Sequence, residues 1–204
     1  MEHADLARRY WDNHLVQVQP EQGVFSKVPP ESLDFLLNVG LPVSAELFRR
    51  MRLYWNLKPK MFIDSRFENT ALLDIGNFYY KNETHPVVID CSNATVLEIL
   101  PKFPMLPPSP TGDKIFINEN ISEFVIYLGI YLKYKKRLDD PVYRKTRNYT
   151  DLKREEVLRN RALAQKEILK TIDKIRTEFS SVNPKPVSSV ELFWGSLLFE
   201  LEDL

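Results

Sequence analysis

Six glycines are scattered singly along the 204 residues, and neither a phosphate-cradling GxxxxGK[ST] loop nor a GxGxxG turn occurs, so nucleotide-binding folds built on those motifs lose support. A nucleophilic triad needs a histidine beside a serine or a thiol. His3 and His14 sit in a terminal segment, and His85 is read as lying in a turn before Pro86. Asp74 and Asp90 fall near expected strand ends, where paired acid and base groups could meet, although aspartates there more often shape turns. Cys91 would act as a thiolate only beside a positive group, and the commoner reading is a structural cysteine. One thiol and three separated histidines provide no zinc framework. Tyr79 and Tyr80, with Tyr54 and Trp55, form either an aromatic contact surface or part of a sheet and its core, and both readings stand. The expectation is no catalysis, no metal and no cofactor.

These residues lie in a region whose period suits strands. Leu72–Gly76, Phe78–Tyr80, Pro86–Asp90 and Thr95–Leu100 are short β-prone runs separated by polar turns, Lys81–Thr84 and Ser92–Ala94 among them. They predict an antiparallel meander. A proline-rich loop from Pro101 to Pro110 leads to a last strand over Lys114–Asn118. Helices are expected on either side. Residues 2–16 carry Leu6, Tyr10, Trp11 and Val16 at helical spacing, and Glu31–Val39 is leucine-rich with Gly40 as a left-handed cap. Ser44–Tyr54 reads as a short helix or as a loop packed beneath one. Asn120–Tyr134 is an apolar helix capped by Asn118 or Asn120, followed by a polar break at Asp139–Pro141. Asp151–Phe179 is a long helix with a stripe of Leu158, Ala162, Leu169, Ile172 and Phe179, widened by Ile168 and Ile175. A final helix capped by Ser188 or Ser189 carries Phe193, Trp194, Leu197, Leu198 and Leu201.

The expected class is therefore α+β, a central, mainly antiparallel sheet flanked by N- and C-terminal helices. The chain is read as one domain over 1–204 with a long basic helical insertion at about 134–184. Zero net charge conceals an asymmetry. Lys133–Arg176 holds 15 basic and seven acidic residues, 15 − 7 = +8, and the remaining 160 residues carry −8. The basic stretch, with Tyr134, Tyr143 and Tyr149 interleaved, could meet phosphate backbones, but its interspersed acids suit a solvated helix face better. The acidic N-terminus, the single cysteine and the lack of an apolar run near the roughly 20 residues that span a bilayer point to a cytoplasmic protein without a membrane anchor.

The order of elements resembles a known group. Gly40-Leu41-Pro42 follows a leucine-rich helix. Leu73-Asp74-Ile75-Gly76 comes next, then Val88-Ile89-Asp90 with Val96, and then the run from Phe116 to Phe124. Phe193-Trp194 with Leu197-Leu198 and Glu200-Leu201 closes the pattern. Together these resemble the SUKH superfamily of immunity proteins, most closely its fourth subfamily, over about residues 33–132 and 188–202. The resemblance implies an α+β fold and a non-enzymatic protein that binds and neutralises a polymorphic toxin, often a nuclease or nucleic-acid deaminase, by occluding its active site. The turn at Ser92-Asn93-Ala94-Thr95 lacks a glycine often found there, Asn120 replaces a small residue, and the basic insertion is additional. Under this reading Asp74, Tyr79, Tyr80, Glu83, Asp90 and Glu119, around the sheet and its turns, are the partner-binding candidates. The partner is a cognate toxin domain. The alternative is a regulatory or scaffolding protein of the same fold that contacts nucleic acid through its basic arm.

Overall fold

The computed structural model describes residues 3–12, 14–19, 24–47, 51–64, 69–80, 83–101, 113–146 and 154–203. The proline-rich loop, the Lys81–Asn82 turn tip and the Arg147–Lys153 part of the basic stretch lie outside them. The chain divides into two compact units, Met1–Gly129 and Ile130–Leu204.

The first unit is built on a six-stranded sheet in sequential order. Its strands are β3 (Ser44–Glu46), β4 (Arg52–Asp64), β5 (Thr70–Tyr80), β6 (Glu83–Asp90), β7 (Val96–Ile99) and β8 (Lys114–Asn118), every neighbouring pair antiparallel. The expected meander is present and the fold is α+β. A separate two-stranded ribbon pairs β1 (Leu15–Val16) with β2 (Leu41–Pro42). Helix α1 (His3–Trp11) thus ends before Val16, which belongs to a strand. Helix α2 spans Pro30–Asn38, and Gly40 follows it at φ +95°, donating its N–H to the Phe35 carbonyl. A Cβ at Gly40 would also lie 2.4 Å from the Val16 carbonyl oxygen, so position 40 excludes a side chain twice over.

Where the structure describes it, the Ser44–Tyr54 segment is strand rather than helix or buried loop, Ser44–Glu46 in β3 and Arg52–Tyr54 in β4, while 48–50 lie outside the described residues. Leu47 N–H donates to the Met51 carbonyl at 2.7 Å, closing a turn between β3 and β4. The spacing of Leu47 and Met51 that imitates a helix is that of two core residues flanking a hairpin. Two irregularities bend the sheet, one in β4 between Trp55 and Lys60 and one in β5 between Asp74 and Gly76. They change which way side chains point. At Gly76 a Cβ would stand 2.6 Å from the Tyr54 carbonyl oxygen and 3.2 Å from the Trp55 Cα. Gly76→Ala is expected to cost about 1–3 kcal/mol of stability, since backbone rather than a movable side chain must yield. A urea midpoint unchanged from wild type would contradict this.

Helix α3 spans Ile121–Thr146 and starts on the sheet. Asn120 caps it: its Oδ1 accepts the Glu123 N–H at 2.9 Å and its amide reaches back to Glu123 Oε1 at 3.1 Å. Phe124 packs between Trp55 and Phe78, and Trp11 Nε1–H donates to the Val125 carbonyl, tying α1 to α3.

The polar Asp139–Pro141 segment does not end α3. Pro141 sits inside the helix, where its fixed φ is tolerated at the loss of one hydrogen bond, and both Leu138 and Pro141 are buried. In the second unit α4 (Arg154–Val182) buries Ala164, Ile168, Thr171, Ile172, Ile175 and Phe179. The expected stripe is rotated, because Leu158 and Leu169 are exposed. Helix α5 (Phe193–Glu202) places Trp194 against Phe179, Phe193 and Tyr131. Neither Ser188 nor Ser189 caps it. Leu192 holds that position without a side-chain bond, and the serines close turns upstream.

Candidate functional site

Register sorts the candidate residues onto the two faces of the sheet. Leu53 faces Phe78 and Trp55 faces Gly76 across β4–β5, while Phe78 pairs with His85, Tyr80 with Glu83 and Gly76 with Val87 across β5–β6; Val87 in turn pairs with Glu98. With strict alternation along each strand, these residues share the face covered by Phe124. Arg52, Tyr54, Asn77, Tyr79 and Thr84 share the other, on which Asp74 and Lys60 also lie.

On the covered face, four polar residues from three strands converge at the β5–β6 hairpin. Glu98 is only 2 % exposed and replaces an apolar side chain in the middle of β7. Its Oε1 accepts the Tyr80 hydroxyl at 2.8 Å and His85 Nδ1–H at 2.6 Å. The other imidazole nitrogen faces Glu83 Oε2 at 3.3 Å, and the Tyr80 ring packs on the imidazole at 4.5 Å between centroids. Burial disfavours the charged imidazole. The hydrogen bond and charge of Glu98, reinforced by Glu83, outweigh that cost and raise the His85 pKa above its ordinary 6.5. The expectation that His85 lies in a turn is therefore corrected: it is buried inside β6. Among the described residues its hydrogen-bond partners are the carboxylates of Glu98 and Glu83 rather than a serine or thiol, and no three His, Cys, Asp or Glu side chains are placed to hold a metal.

On the opposite face Tyr54 and Tyr79 stand 44 % and 43 % exposed, in an edge-to-face pair with ring centroids 5.2 Å apart. Exposed Arg52 is directly opposite Tyr79. The two readings of the aromatic residues thus divide by strand parity: Tyr54 and Tyr79 face outward, whereas Trp55 and Tyr80 turn inward. Asp74 lies on the same face as Tyr54 and Tyr79 at the β5 irregularity, opposite fully buried Val88, and is itself half-buried, accepting the Gly76 N–H at 3.2 Å. Burial raises its pKa against the pull of Gly76, Asn56 and Lys60.

The remaining candidates do not join either group. Asp90 is buried and accepts both the backbone N–H and the hydroxyl of Ser92, at 2.8 and 2.6 Å, shaping the β6–β7 turn. Glu119 is half-buried in the bend between β8 and α3. Burial and the Asp90 charge push the Cys91 thiol up, which disfavours a thiolate there. Sequence reasoning missed Glu98, for which the available signal was a lone acid inside the apolar run Val96–Ile99. In the basic stretch Lys133 pairs with Glu178 at 2.7 Å, Lys135 with Asp139, and Arg176 with Glu202, each at 2.5 Å.

No known protein family matches the chain, and neither a curated protein nor a solved structure is found to match it. Among the described residues no helix is long and apolar enough to cross a membrane.

Proposed function

We propose that the protein is an immunity protein of the SUKH type that acts in the cytoplasm, binding a cognate polymorphic toxin domain and occluding its active site without catalysing a reaction. The observation that carries this reading is the outward Tyr54–Tyr79 pair with Arg52 beside it on one sheet face. Tyrosine and arginine are the side chains that most often anchor protein interfaces, and a rigid sheet holds them in place at little entropic cost. The order of elements supports the same conclusion. The toxin is expected to be a nuclease or nucleic-acid deaminase. The scaffold alternative with a nucleic-acid-binding arm is weakened by Lys133, Lys135 and Arg176, which already face acids of their own unit.

Calorimetry against the C-terminal domain of a large secreted protein encoded beside the gene is the direct test, paired with growth rescue on co-expression. Tight one-to-one binding with rescue is expected, and neighbouring domains that neither bind nor poison cells would overturn the proposal. Tyr79→Ala and Tyr54→Ala are each expected to weaken that binding by about 2 kcal/mol, roughly thirtyfold. Their exposure predicts a stability change of less than ~1 kcal/mol. Binding unaffected by both substitutions would move the contact to another face.

A further inference from the structure

The cations of the second unit fall into two kinds. Lys133, Lys135 and Arg176 are committed to Glu178, Asp139 and Glu202. On the outer side of α4 the arrangement differs. Arg159, Lys166, Lys170 and Lys174 are all exposed, and none of them forms an ion pair among the described residues. At about 3.6 residues per turn the four fall within an arc of about 80°, roughly opposite the face that buries Ile168, Ile175 and Phe179. Lys166, Lys170 and Lys174 are spaced i, i+4, i+8, so successive lysines are neighbours on the helix surface, and like charges at that spacing repel. Lys166 has no acid three or four residues away to offset this, since those positions hold Ala162, Leu163, Leu169 and Lys170. Glu178, four residues beyond Lys174, is taken by Lys133 and Tyr134. The sequence suggests a solvated face supported by its own acids, but along this line no such pair forms among the described residues.

We propose that this line of cations is a docking surface for single-stranded nucleic acid, each cation meeting a phosphate of one strand. Charge complementarity selects a polyanion, and the shape of the line selects which one. At about 1.5 Å of rise per residue it is about 22 Å long from Arg159 to Lys174. It is also narrow, because Asp173 borders one side and Glu167 the other, each about 20° beyond the outermost lysine. Glu155 and Asp173 divide the lysines from the exposed Leu158 and Leu169. A lipid surface that took those leucines and the lysines together would press both acids against its own anionic headgroups. The cores of protein interfaces are depleted in charge, which sets four cations in a row apart from them. One apolar side chain lies within the line: Leu163, 50 % exposed, fills the gap between Arg159 and Lys166. Unstacked bases of a single strand can lie against it, whereas the outside of a duplex presents its backbone and keeps the bases stacked within. The surface belongs to the second unit alone and stands whether or not Tyr54 and Tyr79 meet a toxin.

Fluorescence anisotropy of a labelled oligothymidylate of about 20 nucleotides, titrated with the full chain, tests this. A dissociation constant on the order of 5 μM is expected at about 50 mM salt, weakening roughly fiftyfold by about 200 mM as four contacts release their counterions. Lys166→Gln, Lys170→Gln and Lys174→Gln combined leave one contact. That variant should bind at least about tenfold more weakly at low salt, with its log–log salt slope falling from about −2.8 to about −0.7. It also relieves the like-charge repulsion, so its thermal midpoint should not drop below that of the wild type. Removing the same net charge elsewhere, through Arg9→Gln, Lys27→Gln and Lys136→Gln, should leave the affinity within about twofold. Leu163→Ala should weaken binding of the strand about threefold and leave that of a duplex of the same length unchanged. Four results would overturn the proposal: no saturable binding at about 50 mM salt, equal losses in the two triple variants, a duplex bound more tightly than the strand, and phosphatidylserine vesicles that capture the chain when the strand does not.

Discussion

Phe124→Ala is expected to destabilise the sheet-bearing unit by about 3–5 kcal/mol, a large fraction of the roughly 5–15 kcal/mol that holds a typical domain folded. The ring is fully buried one turn into α3, 5.4 Å from the Trp55 ring and 6.4 Å from that of Phe78. Those two partners come from β4 and β5, in the regularly paired stretch where Leu53 faces Phe78 and Trp55 faces Gly76. Truncation removes the apolar surface that docks the start of α3 on the sheet and leaves a void between large, stiff rings. Backbone capping by Asn120 survives the change, so α3 keeps its helical start while losing its seat. Urea unfolding followed by tryptophan fluorescence reads the effect, with an unchanged m-value expected. A loss below about 1 kcal/mol would mean that Phe124 does not dock the helix as described.

The middle of the fold was legible because burial on one or both faces writes itself into period: Val87–Ile89 is a continuous apolar run and Val96–Ile99 is one broken only by Glu98, as buried strands should be. Strand β4 was not legible. Lys58-Pro59-Lys60 interrupts its alternation at the irregularity, and a proline inside a run normally argues against a strand. Position 94 shows a related limit. The resemblance expects glycine in that turn, yet Ala94 takes φ +68°, and Asp90 holds the turn closed by accepting from Ser92 while its carbonyl accepts the Ala94 N–H. At the candidate site, Tyr54 and Tyr79 were visible as types but not as a pair, since two strand irregularities decide which side chains share a face. His85 was misplaced because Pro86 beside it suggests a turn, whereas register sets it opposite Phe78 within the sheet.

Glu98→Ala is expected to cost about 3–5 kcal/mol, because it strands a buried imidazole and a phenol that both donate to one carboxylate oxygen. The His85 side chain, 11 % exposed, has little water to turn to, whereas half-buried Tyr80 has more. The isosteric Glu98→Gln keeps the volume and isolates the charge. In the wild type, the His85 pKa is higher folded than unfolded, so the stability tied to its proton is fully present below the ordinary 6.5 and is lost as pH rises through the folded value. Acidification in the other direction removes the carboxylate charges that hold the imidazolium, which limits the gain at low pH. Stability measured from pH 6 upward should therefore fall in the wild type and remain nearly flat in Glu98→Gln, with Glu83→Gln intermediate because its carboxylate is half exposed and lies 3.3 Å from Nε2. An imidazole proton titration by NMR assigns the effect to His85 directly. If its midpoint lies at or below the ordinary value and Glu98→Gln leaves it there, burial outweighs the carboxylates, and Glu98 would serve as a hydrogen-bond acceptor for a neutral ring.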